Sequence, residues 1–139
     1  MIQRIQTLWL LLAAAAAFLT IKFSVFSGNM VAPDQTKKFE SLTAASNWIL
    51  LVLTVVLGAA LLIAVFLYKK RKQQLRITAA AIILSVINLA LYYSQTRKFA
   101  EGKLDLTALI ALVIPVLLMM AARGINKDEK LVKSLDRLR

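Results

Sequence analysis

Four stretches without a charged residue constrain this chain more than anything else in it. Ile5–Ile21, Ser41–Tyr68, Ile77–Thr96 and Leu106–Ala122 contain no Lys, Arg, Asp or Glu, and they run for 17 to 28 residues. A helix of a soluble protein buries one apolar stripe and turns charge to water on its other face. These stretches leave no such face. A bilayer core is crossed by about 20 mostly apolar residues in a helix, so membrane spans are predicted at about 7–26, 48–68, 77–94 and 106–122. Composition agrees: 60% of the residues are hydrophobic, against about 45–50% in an ordinary soluble domain. The expected fold is all-α, an integral membrane four-helix bundle of antiparallel spans forming one domain, with a short amphipathic helix at its C-terminal end.

The first stretch also has the look of a secretory signal peptide, with Arg4, a leucine run and the small residues Ala13–Ala17. Apolar character resumes past Lys22 at Phe23 and Phe26, which suits a retained span with Lys22 reaching the outer interface.

Charge predicts orientation. With the first residues on the cytoplasmic side, 12 of the 18 bases and 3 of the 7 acids face the cytoplasm. The far side holds Lys22, Lys37, Lys38, Arg97, Lys98 and Lys103 against Asp34, Glu40, Glu101 and Asp105. Basic residues in short loops concentrate on the cytoplasmic side, so both termini are expected there. The net charge of +11 then records topology, and nucleic acid is not an expected partner, since no aromatic platform accompanies the bases. Trp9 and Tyr68 fall near the inner interface and Trp48, Tyr92 and Tyr93 near the outer one, where such rings concentrate.

The residues that carry common chemistries are missing. There is no Cys and no His, which removes thiolates, imidazole bases and the usual ligands of zinc and haem. No charged residue lies near the middle of a span, where coupled transporters place theirs. No nucleophile–base pair stands out. The expectation is a non-enzymatic protein with no cofactor and no metal.

Small residues at four-residue spacing, Ala13/Ala17, Thr54/Gly58 and Ala60/Ala64, are expected to mark faces where helices pack closely. Ser85, Asn88 and Tyr92 recur at helical spacing on one face and are candidate interhelical polar contacts. Pro115 lies in the middle of span four, where it removes a backbone hydrogen bond and is expected to kink the helix. An alternative reading places a cleft near Ser85, Asn88 and Pro115, in a small dimeric transporter or lipid-binding protein.

The connections differ in kind. Lys69–Arg76 reads as a short basic turn, and Ser27–Asn47 as an irregular outer loop that enters helix near Lys37. At the end of span four, Arg123-Gly124 reads as a helix stop. Asn126 with Glu129 then reads as the capping box of a new helix, Lys127–Leu138, within a tail spanning 126–139. Leu131, Val132, Leu135 and Leu138 share one face of it. Candidate contacts with a protein partner or lipid headgroups are Arg4, Lys69, Lys70, Arg71, Lys72, Arg76, Lys127, Lys130, Lys133 and Arg137. The expected role is that of an accessory or scaffold subunit engaging a partner, or a second copy of itself, through this basic surface, with membrane lipids around the spans.

The opening Met1-Ile2-Gln3-Arg4-Ile5-Gln6-Thr7 and the ending from Arg123-Gly124-Ile125-Asn126 to Leu135-Asp136-Arg137-Leu138-Arg139 resemble those of small Bacteroidota membrane proteins. These are grouped as domain of unknown function 4293. The resemblance implies an inner-membrane location and four helices, and it carries over no catalytic or binding residue.

Overall fold

The computed structural model describes residues 2–31 and 33–138, with side chains from residue 5 onward. Four long helices dominate: α1 (Ile2–Lys22), α2 (Trp48–Phe66), α3 (Arg71–Thr96) and α4 (Ala108–Arg137). Each contains a stretch long and apolar enough to cross a membrane. Three strands, β1 (Phe26–Val31), β2 (Lys37–Leu42) and β3 (Phe99–Leu104), occupy the connections at one end.

The bundle follows from a repeat that all four helices share. Buried positions advance by alternating steps of four and three: Gln6, Leu10, Ala13, Ala17 and Thr20 in α1; Leu50, Thr54, Leu57, Leu61 and Ala64 in α2; Gln74, Thr78, Ala81, Ser85, Asn88 and Tyr92 in α3. In α4, Ala111, Ile114, Leu118, Ala121, Ile125 and Asp128 continue the same rhythm. A repeat averaging 3.5 residues keeps one seam of each helix facing its neighbours over many turns. The helices form a ring in which α1 and α3 each pack against α2 and α4. The outside is apolar, with exposed Leu8, Leu12, Val52, Val55, Ile63, Ile83, Val86, Leu112 and Met119. Polar side chains are turned inward instead.

The small residues read as packing sites do pack: Ala13, Ala17, Thr54, Gly58 and Ala64 are buried, and Ala60 is half-buried. At Gly58 a Cβ would lie 2.6 Å from Cζ of the Phe18 ring. The missing side chain lets that ring lie on the α2 backbone.

The expected all-α fold is corrected by the strands. They form an antiparallel sheet in the order β2-β1-β3, where an irregular loop entering helix near Lys37 was expected. Lys37 instead opens β2, paired with Val31. The physical reason lies in the backbone: each amide of a loop between helices needs a partner, and three adjacent extended segments supply them to one another. Gly28 pairs with Glu40 on one side and Gly102 on the other. A Cβ there would meet the carbonyl oxygen of Glu101 at 2.2 Å. Asp105 fastens the sheet to the bundle, accepting hydrogen bonds from the hydroxyls of Ser24 and Ser27. Phe26 and Phe99 meet edge to face at 5.2 Å above a core of Val25, Leu42, Leu50, Tyr92 and Ala108.

The separate C-terminal helix is a second correction. α4 runs unbroken from Ala108 to Arg137, through Pro115 and Gly124. Gly124 does not have a positive φ, so it does not stop the helix. Its role is steric, since a Cβ would lie 2.8 Å from Cγ of Gln6. Asn126 is exposed inside the helix, and Glu129 pairs with Lys133 one turn ahead at 2.9 Å instead of closing a capping box. Smaller corrections follow: α1 ends at Lys22, with Phe26 opening β1, and residues 71–76 are the first turns of α3 and not a turn. Tyr92 points into the core while Trp48 and Tyr93 are exposed.

Glycine substitutions should rank by what their Cβ atoms strike. Gly28→Ala meets immovable backbone and should cost about 1–3 kcal/mol, the usual range for overpacking. Gly58→Ala meets the rim of a partly exposed ring that can swing aside and should cost less. Thermal melts of the purified variants in one detergent check the order; equal losses would contradict it.

Candidate functional site

At the end of the bundle opposite the sheet, a cleft of about 770 Å³ opens between the start of α3 and the end of α4. Its wall carries six bases: Lys69, Lys70, Arg71, Lys72 and Arg76 from the α2–α3 junction and Lys133 from α4. Glu129 is the one acid in the lining, and Tyr68 and Val132 give it apolar surface.

The α2–α3 junction presents its bases together because it is so tight. A single 3₁₀ turn, Leu67–Lys69, joins the helices, and α3 starts at Arg71. Lys70, the residue before α3, offers no side-chain cap, and the first turn of the helix holds no acid. The free amides there and the positive end of the helix dipole therefore add to the basic side chains without compensation. Lys69 also rests over the Tyr68 ring, with its Nζ 5.8 Å from the centroid.

The other wall is set by a buried polar clasp. Asp128 is 6% exposed, and its carboxylate accepts a hydrogen bond from Nε2 of Gln6, itself buried in α1. Nη1 of Arg71 donates to the backbone carbonyl of Asp128 at 3.3 Å. One turn of α4 is thus held by α1 and α3 together. Glu129, the next residue, is thereby aimed at the cleft. Its hydrogen bond with Lys133 is the main cause holding its pKa below the usual carboxylate range, with the charges of Lys133 and Lys72 adding to it. The carboxylate stays ionised and takes up Lys133, while Arg71 is engaged by the Asp128 carbonyl.

The candidate contacts named from sequence divide accordingly. Lys69, Lys70, Arg71, Lys72, Arg76 and Lys133 come together in the cleft. Lys127, Lys130 and Arg137 are exposed on other sides of α4, and Arg4 lies outside the residues whose side chains are described. Leu131, Leu135 and Leu138 are exposed on a side of the α4 extension away from the cleft. Gln6 and Asp128, which build the clasp, went unnoticed in the sequence. They are 122 residues apart, and a single Asp among basic residues gives no sign that it is buried.

The interhelical polar contacts form in part. Nδ2 of Asn88 donates to Oγ1 of Thr54 at 3.1 Å, joining α3 to α2. Ser85 instead donates to the carbonyl of Ile82 in its own helix. Tyr92 is buried beside them.

These features define a class: a four-helix bundle with an apolar exterior, a small sheet closing one end and a basic cleft at the other. The family model of the domain of unknown function DUF4293 matches residues 2–138, and the chain belongs to that family. No curated protein and no solved structure matches the chain.

The Glu129–Lys133 pair gives a pH prediction. A depressed carboxylate pKa means that the pair's contribution is present above the unfolded value and lost as pH falls through the folded one. The Glu129 side-chain carboxyl, followed by carbon NMR, should titrate below the usual glutamate range, about 4.3. Lys133→Met should move it back up; an unchanged titration would show that the pair does not form.

Proposed function

We propose that this is a non-enzymatic integral protein of the bacterial inner membrane. Both termini are cytoplasmic, and the protein acts as an accessory or scaffold subunit. Its basic cleft holds an acidic segment of a cytoplasmic protein. The membrane reading is supported by the apolar exterior and by helices that suit a hydrocarbon core of about 30 Å. The orientation is supported by the charge difference between the two ends, through the tendency of basic loops to stay inside.

The observation that carries the partner reading is the cleft. Two elements far apart in sequence converge there, with six bases, one paired acid and an uncapped helix start. Clustered like charges destabilise their own fold, and an acidic ligand relieves that. The cleft also extends away from the membrane. A helix of 30 residues is about 45 Å long at 1.5 Å per residue, so about 15 Å of α4 stands clear of the core. Val132 and Tyr68 add an apolar wall that suits a peptide better than a bare phosphate. The alternative of a substrate cleft at Ser85, Asn88 and Pro115 gains no support, since the space beside Asn88 is about 10 Å³.

Two experiments test this reading. The chain has no Cys, so single cysteines report topology cleanly: Ser134→Cys should react with a membrane-impermeant thiol reagent from the cytoplasmic side and Lys103→Cys from the outside. Pull-down in mild detergent, read by mass spectrometry, should recover a protein with an Asp/Glu-rich segment. That protein should be lost on deleting 127–139, on changing Lys69, Lys70, Lys72 and Arg76 together to Gln, and in about 0.5 M salt, where screening acts within a few Å. An unchanged set of co-purifying proteins would sink the partner reading, and retention of anionic lipid alone would reassign the cleft to headgroups.

A further inference from the structure

The bundle interior near the sheet holds two polar atoms that the protein does not satisfy. Oδ1 of Asn88 and Oη of Tyr92 are buried and make no well-formed hydrogen bond to the described residues, although the hydroxyls of Thr20 and Thr54 lie close to the Tyr92 oxygen. The two residues are 5% and 3% exposed. Both line one small cavity of about 10 Å³, together with Thr20 and Ser85 and the apolar Ala111 and Ile114. Buried polar atoms left unpaired are rare in folded proteins, and each one calls for an explanation. Two of them on one void call for a common one.

We propose that this cavity is a binding site for a single water molecule, which links α1 and α3 across the diagonal of the bundle. Size and hydrogen-bond polarity both select water. The volume is at the lower limit for one water, about 10–15 Å³. Around it the protons of the hydroxyls are directed elsewhere: Thr20 donates to the carbonyl of Ala17 and Ser85 to that of Ile82, each at 2.7 Å. One amide proton of Asn88 serves Thr54. The remaining oxygens of Thr20, Ser85 and Asn88 are therefore acceptors, while the Tyr92 hydroxyl has a proton to give. A water accepts that proton, donates one of its own to Oδ1 of Asn88 and directs the other to Oγ1 of Thr20 in α1. That makes three hydrogen bonds, the usual number for a buried water.

A ring of acceptor oxygens also suits a monovalent cation, and charge decides against it. The lining holds no carboxylate, and an ion enclosed in an apolar surrounding without a counter-charge bears an uncompensated desolvation penalty. A neutral water does not.

The test uses the full chain in detergent. NMR should show magnetisation transfer from a long-lived water to the Asn88 side-chain amide and the Tyr92 ring. A structure resolved well enough to show solvent should place one peak within hydrogen-bond distance of both atoms. Asn88→Leu should abolish the transfer; if that variant does not fold, Tyr92→Phe, which keeps the ring, should abolish or sharply reduce it. Exchanging sodium chloride for choline chloride at equal ionic strength should leave the melting temperature unchanged. No transfer and no peak in the unaltered protein, or a signal that survives Tyr92→Phe and Asn88→Leu alike, would overturn the proposal. A rise in melting temperature specific to sodium would give the cavity to a cation instead.

Discussion

Close approach of four helices along a repeat of alternating four and three residues is the constraint on which the rest of this structure depends. For the membrane setting proposed above, an apolar exterior gives helices no hydrophobic reason to associate, and cohesion then comes from tight contact and interhelical hydrogen bonds. Ala13, Ala17, Gly58, Ala64, Ala81 and Ala121 bring the backbones together, and buried Thr20, Thr54, Thr78, Ser85 and Asn88 occupy the same seams. Each polar side chain that enters such a seam must find a partner there. The Asn88–Thr54 bond, the hydroxyls turned onto their own helix carbonyls and the Gln6–Asp128 clasp all answer that demand.

The two ends of the bundle treat their loose backbone differently. At one end, connections of moderate length become a three-stranded antiparallel sheet, because neighbouring extended segments satisfy amides that short turns would leave open. Asp105, between β3 and α4, accepts hydrogen bonds from the hydroxyls of Ser24, just past the end of α1, and Ser27 in β1. At the other end the α2–α3 connection is so short that α3 begins among lysines, without a cap. That arrangement is costly for an isolated helix and becomes favourable when an anion is supplied. The same tightness brings the bases of the cleft together.

Much of this fold was legible in the chain. Four uncharged stretches separated by charge specify four helices, and small residues at four-residue spacing mark the faces that meet. The basic cluster at 69–76 and Lys133 were visible as candidates. Their assembly into one cleft was not, because it depends on α4 continuing past Gly124. A local reading takes Arg123-Gly124 followed by Asn126 and Glu129 as a stop and a new start. By staying in register the helix gives Asp128 a buried partner in Gln6, and the missing side chain at Gly124 leaves Gln6 the room to reach it. The strands were equally hidden: Phe26–Val31, Lys37–Leu42 and Phe99–Leu104 are short, mixed in polarity and, for β3, separated from its partner by two helices.

By itself the sequence determined the number of helices, their apolar character and the imbalance of charge between the two ends, since these depend on composition within single segments. The tertiary structure alone decided what needs contact between distant segments. That includes the sheet, the unbroken α4, the inward turn of Tyr92, the cleft and the small polar cavity beside Asn88. Local pattern records how one segment meets its solvent; it does not record which atom 122 residues away will complete a hydrogen bond.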